Sequence, residues 1–291
     1  MKKSEEGRFT DVKYIPYKLN VSVSFLIYLE KLPFRFNYKV YYPMPFTFSH
    51  PAIVLPLKKI AGETLSLTGL IIGSLTPDFE YFIRMSVRSI YSHTVFGLFW
   101  FDLPFGLLLT FIYHLVVRDP LISQLPEILN RKLSTFKYFD WLAYFKQNWV
   151  IVLVSILIGV ASHIFWDDFT HPSGYFVGRF GFLQHKIAFG NVRIPAFTIL
   201  QHLSSIVGGV IVVFAILGLK TNLTVRSEKR TAYWLSVGSI TILIFVIWIF
   251  TGLNLHLYGN IVVSFISASL IGVILTSLRP KFAERRDSNI L

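Results

Sequence analysis

Histidine and aspartate recur in this sequence at a spacing that can bind a metal ion. His163, Asp167 and His171 follow one another at intervals of four residues. On a helix this spacing puts them on one face, with about 6 Å of rise between neighbours. The first two can therefore hold one metal ion, as the paired histidines of a zinc-protease helix do. His171 precedes Pro172, so it can leave the helix and serve a second ion, a substrate or neither.

Further polar residues lie at the ends of apolar segments. They are His50, Asp78, His93, Gln201 and His202. An ionisable side chain at the rim of a membrane helix is costly, so each is a candidate functional residue. Because the chain contains no cysteine, a metal has to be bound by histidine, carboxylate or water. These residues predict a divalent-metal centre, with zinc as the first choice and manganese as the alternative.

The same residues also have structural interpretations. Asp78 after Pro77 is a common turn pair that can simply end a helix. His93 follows Ser92, a residue type that caps helices. His202 can form a hydrogen bond between helices. The spacing alone leaves the metal site and the structural network both open.

The segments that carry these residues have the composition of membrane helices. The sequence is 53% hydrophobic and 15% charged, whereas soluble domains carry about 25% charged residues. Several nearly uncharged runs are long enough to cross the hydrocarbon. They are 95–117, 149–166, 196–219 and the two halves of 231–278, with 65–82 as a weaker run that meets Pro77 and is expected to stop or kink there. The sequence predicts an all-α polytopic membrane bundle of about six to seven helical segments.

The formal net charge of +12 is best explained by membrane topology. The basic residues lie between apolar runs, and no basic helix typical of nucleic-acid binding is present. Because cytoplasmic loops collect lysine and arginine, the distribution puts the C-terminus in the cytoplasm and the polar cluster at the outer face of the cell membrane. A short helix from His50 to Lys59 that reverses near Gly62 would bring His50 beside Asp78 at that face.

Three regions are expected along the chain. Residues 1–43 contain neither a spanning run nor the apolar core of a signal peptide. Residues 44–280 form the membrane domain, and residues 281–291 form a cytoplasmic tail. Because Met44 opens a Met-Pro-Phe-Thr-Phe-Ser-His sequence, we expect translation to start there.

Asp102 lies inside an apolar run and therefore needs a partner or a proton. Nine residues from His93 correspond to about 180° around a helix. The sequence thus predicts that these two side chains point in opposite directions and that Asp102 packs against another helix.

Several motifs resemble one known family. They are Met44-Pro-Phe-Thr-Phe-Ser-His50-Pro, Gly73-Ser-Leu-Thr-Pro77-Asp78-Phe-Glu-Tyr-Phe, Ser92-His93-Thr, Phe101-Asp102-Leu-Pro104, Ser162-His163-Ile-Phe-Trp-Asp167 with Phe169-Thr-His171, and Leu200-Gln201-His202. Together they resemble the prokaryotic membrane family catalogued as domain-of-unknown-function family 4184, from about Met44 to the last helices. That family starts at the first of these motifs, in agreement with a start at Met44. It has no established activity.

More distantly, the order of these residues resembles the membrane-bound metal-dependent hydrolases related to zinc phospholipase C. By that resemblance the metal ligands would be His50, Asp78, His93, His163 and Asp167. A catalytic role as proton donor, or a place on a second ion, would fall to His171 or His202. The sequence lacks the N-terminal tryptophan ligand of the zinc phospholipases, so the likeness implies neither three metal ions nor lipid cleavage.

Two functions follow as hypotheses. The first is a metal-dependent hydrolase acting on a phosphoester or lipid head group, with membrane lipid as a partner and no nucleic acid. The second is a non-catalytic membrane protein or transporter in which the cluster binds an ion or links helices. Transporter sites lie near the membrane midplane, so a cluster at the rim favours the hydrolase.

Overall fold

The structure is a computed structural model that describes residues 46–221 and 229–279, and these residues form a helical bundle. Its helices are α1 (Pro51–Ala61), α2 (Leu67–Arg84), α3 (Val95–Gln124), α4 (Glu127–Leu133), α5 (Trp141–Thr170), α6 (Tyr175–Arg179), α7 (Gly181–Gln184), α8 (Ala196–Leu217), α9 (Arg230–Thr251) and α10 (Tyr258–Ser277). An antiparallel hairpin of β1 (Lys186–Phe189) and β2 (Val192–Pro195) joins α7 to α8. The expected N-terminal extension, the start at Met44 and the tail from residue 281 lie outside the described residues.

Five helical segments of the described ranges are long and apolar enough to cross a membrane. They are α3, α5 continued by α6, α8, α9 and α10. The prediction of an all-α membrane bundle is thereby confirmed. α3 is not a uniform α-helix, because π-helical turns interrupt it at Leu98–Asp102 and Tyr113–Val117.

The weaker predicted run forms α2, which continues through Pro77 to Arg84. The expected stop at Pro77 does not occur. Proline removes a single helical hydrogen bond, and the turns before it are held by close packing against α5. The hydroxyl groups of Ser264 and Ser267 on α10 donate to the carbonyl oxygens of Met85 and Phe82, at 2.8 and 2.7 Å, and so satisfy backbone groups where α2 ends.

Small residues bring α2 and α5 into backbone contact. A Cβ atom added to Gly73 would lie 2.3 Å from the carbonyl oxygen of Ile156, and one added to Gly159 would lie 2.5 Å from a carbonyl oxygen of α2. Gly159, His163 and Asp167 are spaced by four residues and share one face of α5. Because the glycine contact turns that face toward α2, the histidine and the aspartate also face α2.

The N-terminal part of the described chain packs against α8. Gly208 makes room for the turn before α1, since an added Cβ atom would lie 2.8 Å from the carbonyl oxygen of Ser49. The backbone N–H of Phe46 donates to the Ser205 hydroxyl at 3.2 Å. As predicted, a short helix follows His50, and the chain reverses at Gly62, whose φ is 57°. This arrangement carries His50 to the same end of the bundle as Asp78.

Candidate metal centre

Asp78 points one carboxylate oxygen into the bundle. Its side chain is 1% exposed, and the Thr47 hydroxyl donates to Oδ2 at 2.6 Å. Oδ1 has no hydrogen-bond partner among the described residues. The threonine therefore fixes the carboxylate and leaves Oδ1 available to a ligand.

His163 on α5 is oriented in the same way. Its Nδ1 lies 2.7 Å from the carbonyl oxygen of Ser74. A carbonyl oxygen only accepts, so Nδ1 carries the proton and the Nε2 lone pair is free. Nε2 is buried without a partner in the described chain, as are both carboxylate oxygens of Asp167 one turn later.

His93 lies in the loop between α2 and α3, in the left-handed conformation with φ of 59°. The Ser92 hydroxyl donates to Glu80 at 3.0 Å, and its oxygen lies 2.9 Å from Nδ1 of His93. Because that hydroxyl proton is already used, Nδ1–H donates to Ser92. When the ring of His93 is neutral, its Nε2 lone pair is then free as well, which is the carboxylate-supported arrangement common to metal-binding histidines.

Glu80 holds the loop that carries His93, and sequence reasoning missed it. Its carboxylate accepts from the backbone N–H groups of Ile90, Tyr91 and Ser92 at 2.9, 2.9 and 2.8 Å and from Arg84 at 2.8 Å. Burial raises the pKa of Glu80, but these hydrogen bonds outweigh burial and lower the pKa to about 2. The signals in the sequence are its place two residues after Asp78 and its place within the motif that begins at Gly73.

Four atoms without hydrogen-bond partners converge between α2, α5 and the loop. His163 Nε2 lies 3.2 Å from Asp167 Oδ2 and 3.5 Å from Asp78 Oδ1. His93 Nε2 lies 3.4 and 3.5 Å from the same two oxygens. All four residues offer ligand atoms within 4.8 Å of one another. Ligands that surround one ion tetrahedrally at about 2.0–2.1 Å stand about 3.3 Å apart, so the group has the dimensions of a tetrahedral metal site.

His50 lies against this group. Its ring stacks on that of His163 with 3.8 Å between centroids, and its Nε2 lies 3.8 Å from Asp167 Oδ1. Neither ring nitrogen has a hydrogen-bond partner in the described residues. Burial, together with the neighbouring His163, lowers the pKa of His50 to about 3. Its imidazole is therefore neutral, as metal binding requires.

His93 is the most exposed of the four converging residues, with 19% of its side chain accessible. Burial alone would lower its pKa, but the carboxylates of Asp167 and Asp78 raise the pKa to about 9. A metal ion bound here would replace the positive charge that the two carboxylates otherwise draw onto this imidazole.

The two predicted catalytic histidines differ in their surroundings. His171 follows the last turn of α5 in an extended conformation, with Nδ1 3.5 Å from Asp167 Oδ1 and 26% of its side chain exposed. His202 is exposed on α8, next to the buried Gln201. The catalytic roles of His171 and His202 remain predictions.

Asp102 is fully buried in the first π-helical turn of α3, and neither of its oxygens has a partner in the described chain. The prediction that Asp102 points away from His93 assumed that both lie on one helix. His93 instead precedes the helix, and a π-helical turn changes the angle between successive residues.

Membrane-crossing helices around a buried histidine–aspartate group define a multi-pass membrane protein with a candidate metal site. The chain belongs to the family described as a domain of unknown function (DUF4184), whose model matches residues 44–278. The resemblance of its motifs to that family is thus confirmed. No curated protein and no solved structure matches the chain, so the more distant likeness to hydrolases remains an expectation.

Proposed function

We propose that this protein is a membrane-embedded metal-dependent hydrolase that acts on a phosphoester, such as a lipid head group, at the outer membrane face. The observation that carries the proposal is the convergence of four buried ligand atoms that lack hydrogen bonds. When the histidines are neutral, leaving such groups unpaired costs about 1–3 kcal/mol each, and more for a charged group. A bound cation offsets that cost.

The donor set favours zinc, and manganese is the alternative. Two imidazoles and two carboxylates are a usual combination for a first-row divalent ion. When bound, such an ion lowers the pKa of a coordinated water toward about 7 and stabilises charge on a phosphoryl oxygen. His50 adds a neutral nitrogen at the edge of the set. Hydrolysis requires that the protein ligands leave one coordination position open for water.

The exposed side chains around the centre suggest how a substrate reaches it. His93 and His171 are partly accessible, whereas His163 is fully buried. A phosphoester would therefore approach between the loop that carries His93 and the end of α5. His171, beside Asp167, would donate a proton to the leaving group.

One observation favours a different function, that of an ion transporter. Asp102 is a fully buried carboxylate within a membrane-crossing helix, and such residues often mark proton or ion pathways. Metal-loaded protein in liposomes separates the two functions. A transporter takes up ions without cleaving a substrate, whereas a hydrolase cleaves phosphoesters without uptake.

Hydrolysis is tested on full-length protein in detergent, stripped with a chelator and reloaded with zinc or manganese. Release of head groups from phosphatidylglycerol and phosphatidylethanolamine and cleavage of a chromogenic phosphodiester are measured for wild type, Asp78→Asn and His256→Gln. His256 is an exposed residue far along the chain from the centre. We expect metal-dependent turnover in wild type and His256→Gln, and a loss of more than about 100-fold in Asp78→Asn, since even outer-shell partners of a metal contribute about 10–100-fold. Absence of cleavage by metal-loaded, monodisperse wild type would contradict the proposal.

A further inference from the structure

The hairpin between α7 and α8 has an apolar face. Directly opposed residues of an antiparallel pair lie on the same face, and residues two apart on a strand share it. The pairs Ile187↔Ile194 and Phe189↔Val192 therefore form one face of four apolar side chains. Phe189 is 56% exposed, Val192 55% and Ile187 40%. The described part of the chain does not cover this face.

The opposite face of the hairpin is basic. Lys186 and Arg193 lie on it, with Ala188 directly opposite Arg193. Arg179 at the end of α6 adds a third positive charge nearby in the sequence. From residue 169 to residue 227 the sequence contains no aspartate or glutamate. The positive charges of this stretch therefore have no acidic neighbour within the stretch itself, and an anionic surface can attract them.

The hairpin is attached to membrane-crossing helices at both ends. The span formed by α5 and α6 ends at Arg179, and the next span begins at Ala196, directly after β2. A strand of four residues is about 13 Å long, so the hairpin stays close to the membrane boundary. Phe180 and Phe182 precede it and are also exposed, at 42% and 68%. Aromatic residues at such a boundary are typical of the interfacial region of a bilayer.

We propose that the hairpin lies flat on the bilayer and binds anionic phospholipid. Its apolar face rests in the boundary of the acyl chains, and Lys186 and Arg193 contact lipid phosphates. α5 carries His163 and Asp167 near its end and is joined to the hairpin by the short helices α6 and α7, so the hairpin and the candidate metal centre are on the same side of the membrane. The binding requires no metal and does not depend on the proposed hydrolysis.

The depth of the hairpin is measured with spin labels. Because the chain contains no cysteine, Phe189→Cys and Ala188→Cys each provide a single labelling site on opposite faces. The full chain is placed in nanodiscs of phosphatidylcholine and phosphatidylglycerol, and collisions of the label with oxygen and with a water-soluble nickel chelate are compared. We expect oxygen to dominate at position 189 and the nickel chelate to dominate at position 188. Two water-exposed labels would overturn the proposal, and so would a label at 189 shielded from both reagents, which would indicate a protein partner.

The lipid preference is tested by charge removal. Protein is extracted from mixed phosphatidylcholine and phosphatidylglycerol vesicles, and the lipids that co-purify are quantified. We expect the double variant Lys186→Gln, Arg193→Gln to lose enrichment of phosphatidylglycerol relative to wild type. Lys220→Gln, an exposed lysine at the other end of α8, is the matched control and retains the enrichment. Equal enrichment in the double variant and the control would overturn the assignment of these two residues to anionic lipid.

Discussion

Both ends of the bundle contain buried histidine, but its ring nitrogens are fully hydrogen-bonded at one end and only partly hydrogen-bonded at the other. At the end away from the candidate metal centre, Arg118 donates to Nδ1 of His114 at 2.8 Å, and Nε2 then donates to the Thr68 hydroxyl at 3.0 Å. Arg118 is 1% exposed and also forms a two-point ion pair with Asp119. Both nitrogens of this histidine are therefore satisfied by the protein itself.

At the candidate metal centre, Nε2 of His93 and Nε2 of His163 have no such hydrogen-bond partners among the described residues. Their other nitrogens are used for orientation, by Ser92 and Ser74. The residue types at the two ends are similar, so composition does not distinguish a structural network from a site. The two ends differ in whether every buried ring nitrogen of histidine has a hydrogen-bond partner within the protein.

The largest effect on stability is expected from removing Arg118, which bonds to both His114 and Asp119. Arg118→Met leaves Asp119 and His114 without their partner, and removal of one member of a buried pair costs about 3 kcal/mol or more. We expect a markedly lower midpoint of thermal unfolding in detergent, followed by tryptophan fluorescence. The metal content of the protein that remains folded should not change. An unfolding midpoint equal to that of wild type would show that the network contributes no stability.

The opposite behaviour is expected at the candidate metal centre. Metal at about 100 times its dissociation constant stabilises the folded state by about 2.7 kcal/mol. Zinc should therefore raise the unfolding midpoint of wild type and of Arg118→Met but leave that of Asp167→Asn unchanged. In the absence of metal, Asp167→Asn should be less stable than wild type, because the carboxylate that pairs with the neighbouring histidines at 3.2–3.8 Å has been removed. A zinc-induced shift in Asp167→Asn equal to that of wild type would argue against this aspartate as a ligand.

A smaller loss of stability and of zinc affinity should follow from pushing α2 and α5 apart. Gly159→Ala forces a methyl group against the α2 backbone, and overpacking of this kind costs about 1–3 kcal/mol. Because His163 and Asp167 lie on the same face, zinc affinity should fall together with stability. Gly209→Ala is the control, since nothing lies within 4 Å of its added Cβ atom. Equal unfolding midpoints for the two variants would contradict the close contact.

The smallest effect is expected from the hydroxyl that links Glu80 to His93. Ser92→Ala removes the acceptor for Nδ1–H of His93 but leaves every proposed ligand in place. We expect zinc affinity, measured by competition with a chromogenic chelator, to fall about 10-fold. Ser269→Ala removes an exposed hydroxyl that bonds only to its own helix, at Phe265, and should not change the affinity. If Ser92→Ala binds zinc as wild type does, the proposed link between Glu80 and His93 has no effect on the site.

Much of the fold follows from the sequence because apolar length is a local property. The membrane helices and the reversal at Gly62 are of this kind, and so is the shared face of His163 and Asp167. The left-handed loop that presents His93 is not local, because it depends on Glu80 accepting three backbone N–H groups from residues ten to twelve positions later.

Asp102 shows a second limit of prediction from the sequence. Its orientation depends on a π-helical turn, which a regular helical period does not include. Its position relative to His93 therefore could not be derived by counting residues along a helix.

Metal content measured by plasma mass spectrometry tests the central claim most directly. Purified wild type, His163→Ala, His114→Ala and His256→Ala are incubated with zinc, freed of excess ion and shown to be monodisperse. Because the ligand atoms at the centre have no hydrogen-bond partners, we expect stoichiometric zinc in wild type, His114→Ala and His256→Ala. We expect zinc to be lost in His163→Ala alone. Equal zinc in all four proteins, or none in any of them, would contradict a metal centre formed by Asp78, His93, His163 and Asp167.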